Sequence, residues 1–452
     1  MNYWLLLIVL FSNLVSIAKA GLTIRDDNNQ GFAQMDIYST NGSFVTDLEI
    51  GSNNQPVTLL ISDSYADMLV MLPNVTCKSG YQYIFPYVII DREDFQSETD
   101  ASDNSNCTGF GVFDPNQSTT FYQHPAKKFF VYNDPDDDTF SFAGVWGQDD
   151  IKFNDNFQVF NLTFGVSHVF NQVIGVLGLG PTWLELQSLA GKKEYANLPS
   201  LLVQQNITQR NVYSMFMNTE EAKNGTILFG AIDYSKFDFL ETRPIDSHLA
   251  SQWEFGLSSR EIWLENYETE EFKRLYDKSM PVQLDYNLPN SELPSNILKS
   301  LVQNLGITYD SSALFQEISC DMLDSEDEFI AFKFGLANNS ISVPISSLIT
   351  QEDDKCMLAI TTPSDNFPSV TFGLNILKYV YLVYDLERFE ISIGLRTFNE
   401  SAPANISVIT KQTSRGPLDS ELKRAVSKAN NGIHFTSTFA FIVPIVISLL
   451  FW

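Results

Sequence analysis

The stretch Leu59–Val70, "LLISDSYADMLV", has apolar residues on both flanks and Ser62-Asp63-Ser64 at its centre. A hydroxyl and a carboxylate at the end of an apolar strand have the types needed for acid–base chemistry. The same residues could form only a polar edge. The second half of the chain carries a partial echo, Val282–Asn287, in which an apolar strand again runs into a polar turn at Asp285. Other chemistries lack their residues. The chain contains no G-x-S-x-G, no Cys–His nucleophile pattern and no H-E-x-x-H. A zinc site is disfavoured, because there is no C-x-x-C and His124, His168, His248 and His434 are scattered.

The elements that must position these residues read as short strands. Apolar residues alternate with polar ones in "FVTDLEIG", "VTLLIS", "FFVYND", "VFNLTFGV", "VYSMFMN", "GTILFGA", "YVYLVYDL" and "FEISIG", separated by Gly, Asn, Asp and Pro. Helical segments are few: 183–190, 198–205 and 294–305. With 35 Phe and 18 Tyr in 452 residues, the composition suits a mostly-β protein of one large domain or two lobes. The 55 acidic residues against 28 basic ones give a net charge of −27, which disfavours nucleic-acid binding.

Both ends read as targeting segments. Residues 1–20 carry an apolar core and end in Ala18-Lys19-Ala20, the pattern of a cleaved signal peptide. At the other end, Phe439–Trp452 is a 14-residue apolar tail, short of the roughly 20 residues of a membrane-spanning helix. Asn430-Asn431-Gly432 upstream fits the attachment triplet of a GPI lipid anchor, so 431–452 are expected to be removed; Ser427 is a rival attachment site. Residues 399–430 read as a polar stalk. The secretory reading fits ten N-x-S/T sequons, at Asn41, Asn74, Asn106, Asn116, Asn161, Asn206, Asn224, Asn338, Asn399 and Asn405. It also fits four cysteines, for which Cys77–Cys107 and Cys320–Cys356 is the simplest of three pairings. The acidic loop 91–104 would then be closed by the first bridge.

"FVTDLEIGSNNQPVTLLISDSYADMLV" resembles the opening of pepsin-like aspartic proteases (peptidase family A1). "GVLGLG" at 175–180 is similar to the segment that packs behind the family's first active-site loop. "MPVQLDYNLPNSELP" lies where its second Asp-Ser/Thr-Gly belongs, and "VTFGLNILKYVYLVYDLERFEISIG" is similar to its closing segment. The resemblance is collinear over about 35–398 and fits the fungal cell-surface branch, the yapsins and candidapepsins, especially well. It implies an all-β, bilobal double β-barrel with a central peptide-binding cleft, an N-terminal lobe at 35–207 and a C-terminal lobe at 208–398. It implies no cofactor, a monomer, and an extended peptide or glycoprotein segment as partner. In such a cleft two carboxylates share a proton, one acting as base while the other polarises the scissile carbonyl.

This chain departs from that pattern. Asp285 holds the second catalytic position, with Leu293-Pro294 at the family spacing, but Tyr286-Asn287-Leu288 replace the residues that normally follow. Counting from Ile50-Gly51 forward or from Asp67 backward puts the first catalytic position at Ser62. Asp63 is one residue out of register, and in a strand one residue changes face. Tyr132 stands where the flap tyrosine would be, ahead of a long acidic tip, "NDPDDD". Residues 21–34 make only a short N-terminal segment with no Lys-Arg pair, so no long prosegment is expected. Two readings result. One is a GPI-anchored pseudo-protease that binds peptides or serves structurally at the cell surface, at the plasma membrane or in the wall; Lys423-Arg424 favours membrane retention. The alternative is an active aspartic endopeptidase using Asp63 and Asp285.

Overall fold

The computed structural model describes residues 31–410, except 41–42, 78–86, 90–106, 133–139, 154–156, 171–173, 190–191, 220, 247–248, 250–254, 336–338, 364–368 and 399–402. The signal segment, the acidic loop 91–104, the acidic tip after Tyr132, the sequons at Asn41, Asn106, Asn338 and Asn399, residues 411–430 and the anchor region with Asn430 lie outside the described residues.

Strands dominate, as the alternation predicts. Fourteen of them form one sheet in the order 241–244, 390–395, 380–385, 212–217, 224–229, 33–40, 43–50, 55–62, 175–178, 68–77, 157–170, 140–153, 122–132, 87–89. A further pairing of 43–50 with 140–153 curls the first half of this sheet back on itself. Second-half strands form additional sheets of five, four and three strands. Helices are short: Leu186–Leu189, Leu198–Gln204, Ser295–Asn304 and Leu374–Leu377. Among the described residues no helix is long and apolar enough to cross a membrane.

The large sheet is continuous across both halves of the sequence. Ala33–Thr40 pairs with Asn224–Phe229, and Val212–Met217 pairs with Val380–Asp385. Groups from the first and last hundred residues of the described chain therefore meet at its centre. The four cysteines form Cys77–Cys107 and Cys320–Cys356, with Cα atoms 5.7 and 5.2 Å apart. The six sequon asparagines that are described, Asn74, Asn116, Asn161, Asn206, Asn224 and Asn405, are all exposed, as glycan acceptors must be.

One boundary differs from the sequence reading. The expected stalk does not begin at 399, because Ile406–Val408 is a strand paired with Ala231–Asp233. Asp233 further holds this segment by accepting from the Asn405 amide at 2.9 Å, and the Tyr234 amide donates to the Asn405 carbonyl. "ISV" is too short to register as periodicity; only its partner strand reveals it.

Candidate active site

Along Gln55–Ser62 the apolar residues Val57, Leu59 and Ile61 are buried at every second position, and Ser62 at the strand end is buried as well. That phase continues past the strand end to Asp63, which is only 4% exposed. In the second half Met280, Val282 and Leu284 are buried in the same way, and the phase continues to Tyr286 at 2% exposed. Period two thus sends Asp63 and Tyr286 toward the core, and gives Ser62 and Asp285 the opposite phase.

The neighbouring strands give the same equivalence independently. Gln55–Ser62 runs parallel to Gly175–Gly178, with Ser62 opposite Gly178. Met280–Leu284 runs parallel to Val370–Phe372, with Leu284 opposite Phe372, so the next step brings Asp285 opposite Gly373. Each glycine lies against the turn that follows. A Cβ on Gly178 would be 2.6 Å from the carbonyl oxygens of Tyr65 and Asp67, and one on Gly373 would be 2.6 Å from that of Leu288. Backbone amides then pin the turns. Leu179 donates to Ser62, Gly180 to Tyr65 and Gly178 to Asp67; in the second half Asp285 donates to Phe372 and Leu374 to Leu288. Because the obstructing atoms are backbone, Gly178→Ala is expected to lower stability by about 1–3 kcal/mol. A shift of the urea midpoint, with the slope unchanged, checks this.

The two sites differ in what their side chains do. The Ser62 hydroxyl is buried and has no hydrogen-bond partner among the described residues. Asp285 is half-buried, and one of its oxygens accepts from the Asn287 amide at 2.8 Å. Asp63 faces the other way. Its Oδ2 accepts from the Tyr384 hydroxyl at 2.9 Å, and its Oδ1 lies 3.4 Å from the hydroxyl of the exposed Ser64. Burial raises its pKa from the usual carboxylate range to about 8. The Tyr384 hydrogen bond works against that rise, and the nearby charge of Asp285 adds to it.

Tyr384 belongs to Val380–Asp385 and stacks on Tyr213, ring centroids 4.7 Å apart, and on Phe255 at 5.6 Å. Its hydroxyl is also 3.4 Å from that of Tyr286. A buried tyrosine hydroxyl usually finds a partner, but nothing in "YVYLVYDL" indicates which. Tyr384 and Tyr213 are the functional candidates that sequence reasoning did not single out.

A second buried acid cluster lies beside the first turn. Asp67 accepts from the Leu186 amide at 2.7 Å and from the Tyr195 hydroxyl, while Glu185 accepts from the Tyr195 amide at 2.9 Å. Burial raises Asp67 to about 7 and Glu185 to about 9. No group of three metal-ligating side chains occurs among the described residues. The backbone of Tyr132 ends the strand Tyr122–Tyr132, opposite Phe140. Its side chain lies outside the described residues. The returning strand Phe140–Phe153 contains Gly144, Gly147 and the buried Asp149.

Two strand ends related by an internal repeat, each backed by a glycine on a parallel neighbour, are the frame of a pepsin-like aspartic protease. The chain belongs to the eukaryotic aspartyl protease family, whose profile matches residues 43–395. Its relatives include fungal enzymes. It is 28% identical over 426 residues to aspartic proteinase MKC7 of Saccharomyces cerevisiae, covering 84% of this chain and 70% of that protein. It is 29% identical to secreted aspartic protease 10 of Candida albicans, covering 79% and 72%. To aspartic proteinase yapsin-3 of Saccharomyces cerevisiae it is again 29% identical, covering 81% and 68%. The fold matches the crystal structure of an aspartic proteinase from Irpex lacteus with a TM-score of 0.59 at 15% identity, over 83% of this chain and all of that one.

Proposed function

We propose that this chain is a catalytically silent yapsin-like aspartic protease homologue, held at the cell surface by a GPI anchor, whose cleft takes an extended peptide or glycoprotein segment without cutting it. The observation that carries this reading is the pairing register. Ser62 stands to Gly178 as Asp285 stands to Gly373, so one of the two equivalent positions holds a hydroxyl. A serine hydroxyl cannot share a proton across the site as a second carboxylate does. Asp63 is committed to Tyr384 on the core side.

Purified glycosylated ectodomain is expected to show no pepstatin-sensitive cleavage of a mixed peptide library at acid pH, and Asp285→Ala is expected to leave that result unchanged. Peptide binding without cleavage supports a receptor-like role; neither binding nor cleavage supports a structural one. Release from cells by a phosphatidylinositol-specific phospholipase, lost on replacing Asn430 and Ser427 together, checks the anchor.

One observation favours the alternative, an active endopeptidase. The charge of Asp285 acts on Asp63, so the two carboxyls are electrostatically coupled. Cleavage lost in both Asp63→Asn and Asp285→Asn would establish that alternative and remove the first reading.

A further inference from the structure

Asp63 has no part in the binding reading, yet it is buried and hydrogen-bonded. It sits on a first-half turn, and its partner Tyr384 lies 321 residues later, on the sheet shared by both halves. The same phenol reaches Tyr286 on the equivalent second-half turn. All three are buried, and the ring of Tyr286 is further held edge-on by Phe44 at 6.3 Å. One phenol therefore links both turns to the central sheet.

The proton inventory of this link depends on Asp63. When Asp63 carries a proton, it can donate to Tyr384, which in turn can donate to Tyr286, and no net charge is buried. When Asp63 is ionised, Tyr384 donates to it, and the direction of the chain reverses. The ionised form is poorly served. The other groups acting on it are Asp285, whose negative charge repels it, its own backbone amide, the phenol of Tyr213, which is buried with no partner among the described residues, and the Ser64 hydroxyl at 3.4 Å. Among the described residues no cation is one of the groups that shift it. A buried carboxylate served by one phenol, its own amide and a long contact to Ser64, with a like charge nearby, gains by reaching water.

We propose that Asp63, Tyr384 and Tyr286 form a proton-loaded clasp, which holds the two turns on the central sheet while Asp63 is protonated and releases the first turn when it ionises. The elevated pKa of Asp63 agrees with this arrangement and places release on the alkaline side. The clasp makes the geometry of the site acid-dependent whether or not the site cleaves peptides.

Hydrogen–deuterium exchange on the glycosylated ectodomain, corrected for intrinsic exchange rates, tests it at about pH 5 and about pH 9. Peptides covering 59–66 are expected to lose protection at the higher pH, exchanging about tenfold faster. Asp63→Asn, which matches the acid in size but cannot ionise, is expected to keep them protected at both. Tyr384→Phe removes the link and is expected to expose the first turn already at the lower pH. Glu185→Gln, which removes a buried acid outside the clasp, should retain the wild-type pH response. Wild-type protection that persists at the higher pH overturns the proposal. So does an Asp63→Asn variant that loses protection as the wild type does. Should Asp63→Asn fail to fold, Tyr384→Phe decides: wild-type protection of 59–66 at the lower pH overturns the clasp, and exposure there supports it.

Discussion

Ser62→Asp should produce acid-dependent peptide cleavage above the wild-type level, and the gain should vanish in Ser62→Asp/Asp285→Asn. The substitution puts a carboxyl at the position that the parallel register makes equivalent to Asp285, each opposite a glycine that lets the turn approach closely. Two like-charged carboxyls at such positions do not both ionise readily, so one proton is retained between them, and base and acid are both supplied. General acid–base catalysis contributes about 10²–10⁴-fold; with a hydroxyl at Ser62 in the wild type, a gain over the wild-type background is interpretable. Tyr286, Asn287 and Ser64 remain in the turns, so activity below that of an intact family member is expected. The measurement is cleavage of a peptide library at acid pH, with and without pepstatin. A wild type that already cleaves with Asp63 as an essential group would contradict the equivalence of Ser62 and Asp285. A silent Ser62→Asp variant that nevertheless binds pepstatin would locate the remaining defect in the turn residues.

Stability should be higher in acid than in mild base, and by a large margin. Three of the buried carboxyls, Asp63, Asp67 and Glu185, have pKa values raised to about 8, 7 and 9, in each case mainly by burial. The folded chain therefore holds these protons more tightly than the unfolded chain does. The stability they contribute is fully present below the unfolded values, near 4. It declines as pH rises and is lost once pH has passed the folded values, between about 7 and 9. A tenfold difference in proton affinity between the folded and unfolded chains corresponds to about 1.4 kcal/mol, so even a partial effect amounts to several kcal/mol across this window. A thermal midpoint about 5–10 °C lower at about pH 8.5 than at about pH 5 is expected. The net charge of −27 acts in the same direction through surface repulsion. Salt separates the two contributions, because it screens exposed charges and acts much less on buried ones. A midpoint difference abolished by about 0.5 M salt would assign the effect to the surface instead. Asp67→Asn should flatten the acid-to-neutral part of the curve, and Glu185→Gln the most alkaline part.

Much of this architecture is legible in the sequence. Alternation in "VTLLIS", "VYSMFMN" and "YVYLVYDL" marks strands because a pleated backbone must present every second side chain to the core. The local cysteine pairing follows from two cysteine pairs widely separated in sequence, and the structure forms both bridges. Counting from Ile50-Gly51 and from Asp67 converges on Ser62 because the turn's length is bounded on both sides by strands of fixed rise. The displacement of Asp63 to the other face is visible in that count alone.

The sequence could not say where Asp63 goes once turned inward. Its partner Tyr384 is 321 residues distant, and the two meet only because strands from both ends of the described chain join one sheet. The same holds for Asp67 and Tyr195, 128 residues apart, and for the strand Ile406–Val408, which exists only by virtue of Ala231–Asp233. Residue type and period are local properties, so the chain itself determined its strands, its disulfide-bearing loops and the hydroxyl at Ser62. Which buried acids share which phenols depends on long-range strand pairing. Tertiary structure alone decided that Asp63 lies against Tyr384 on the core side.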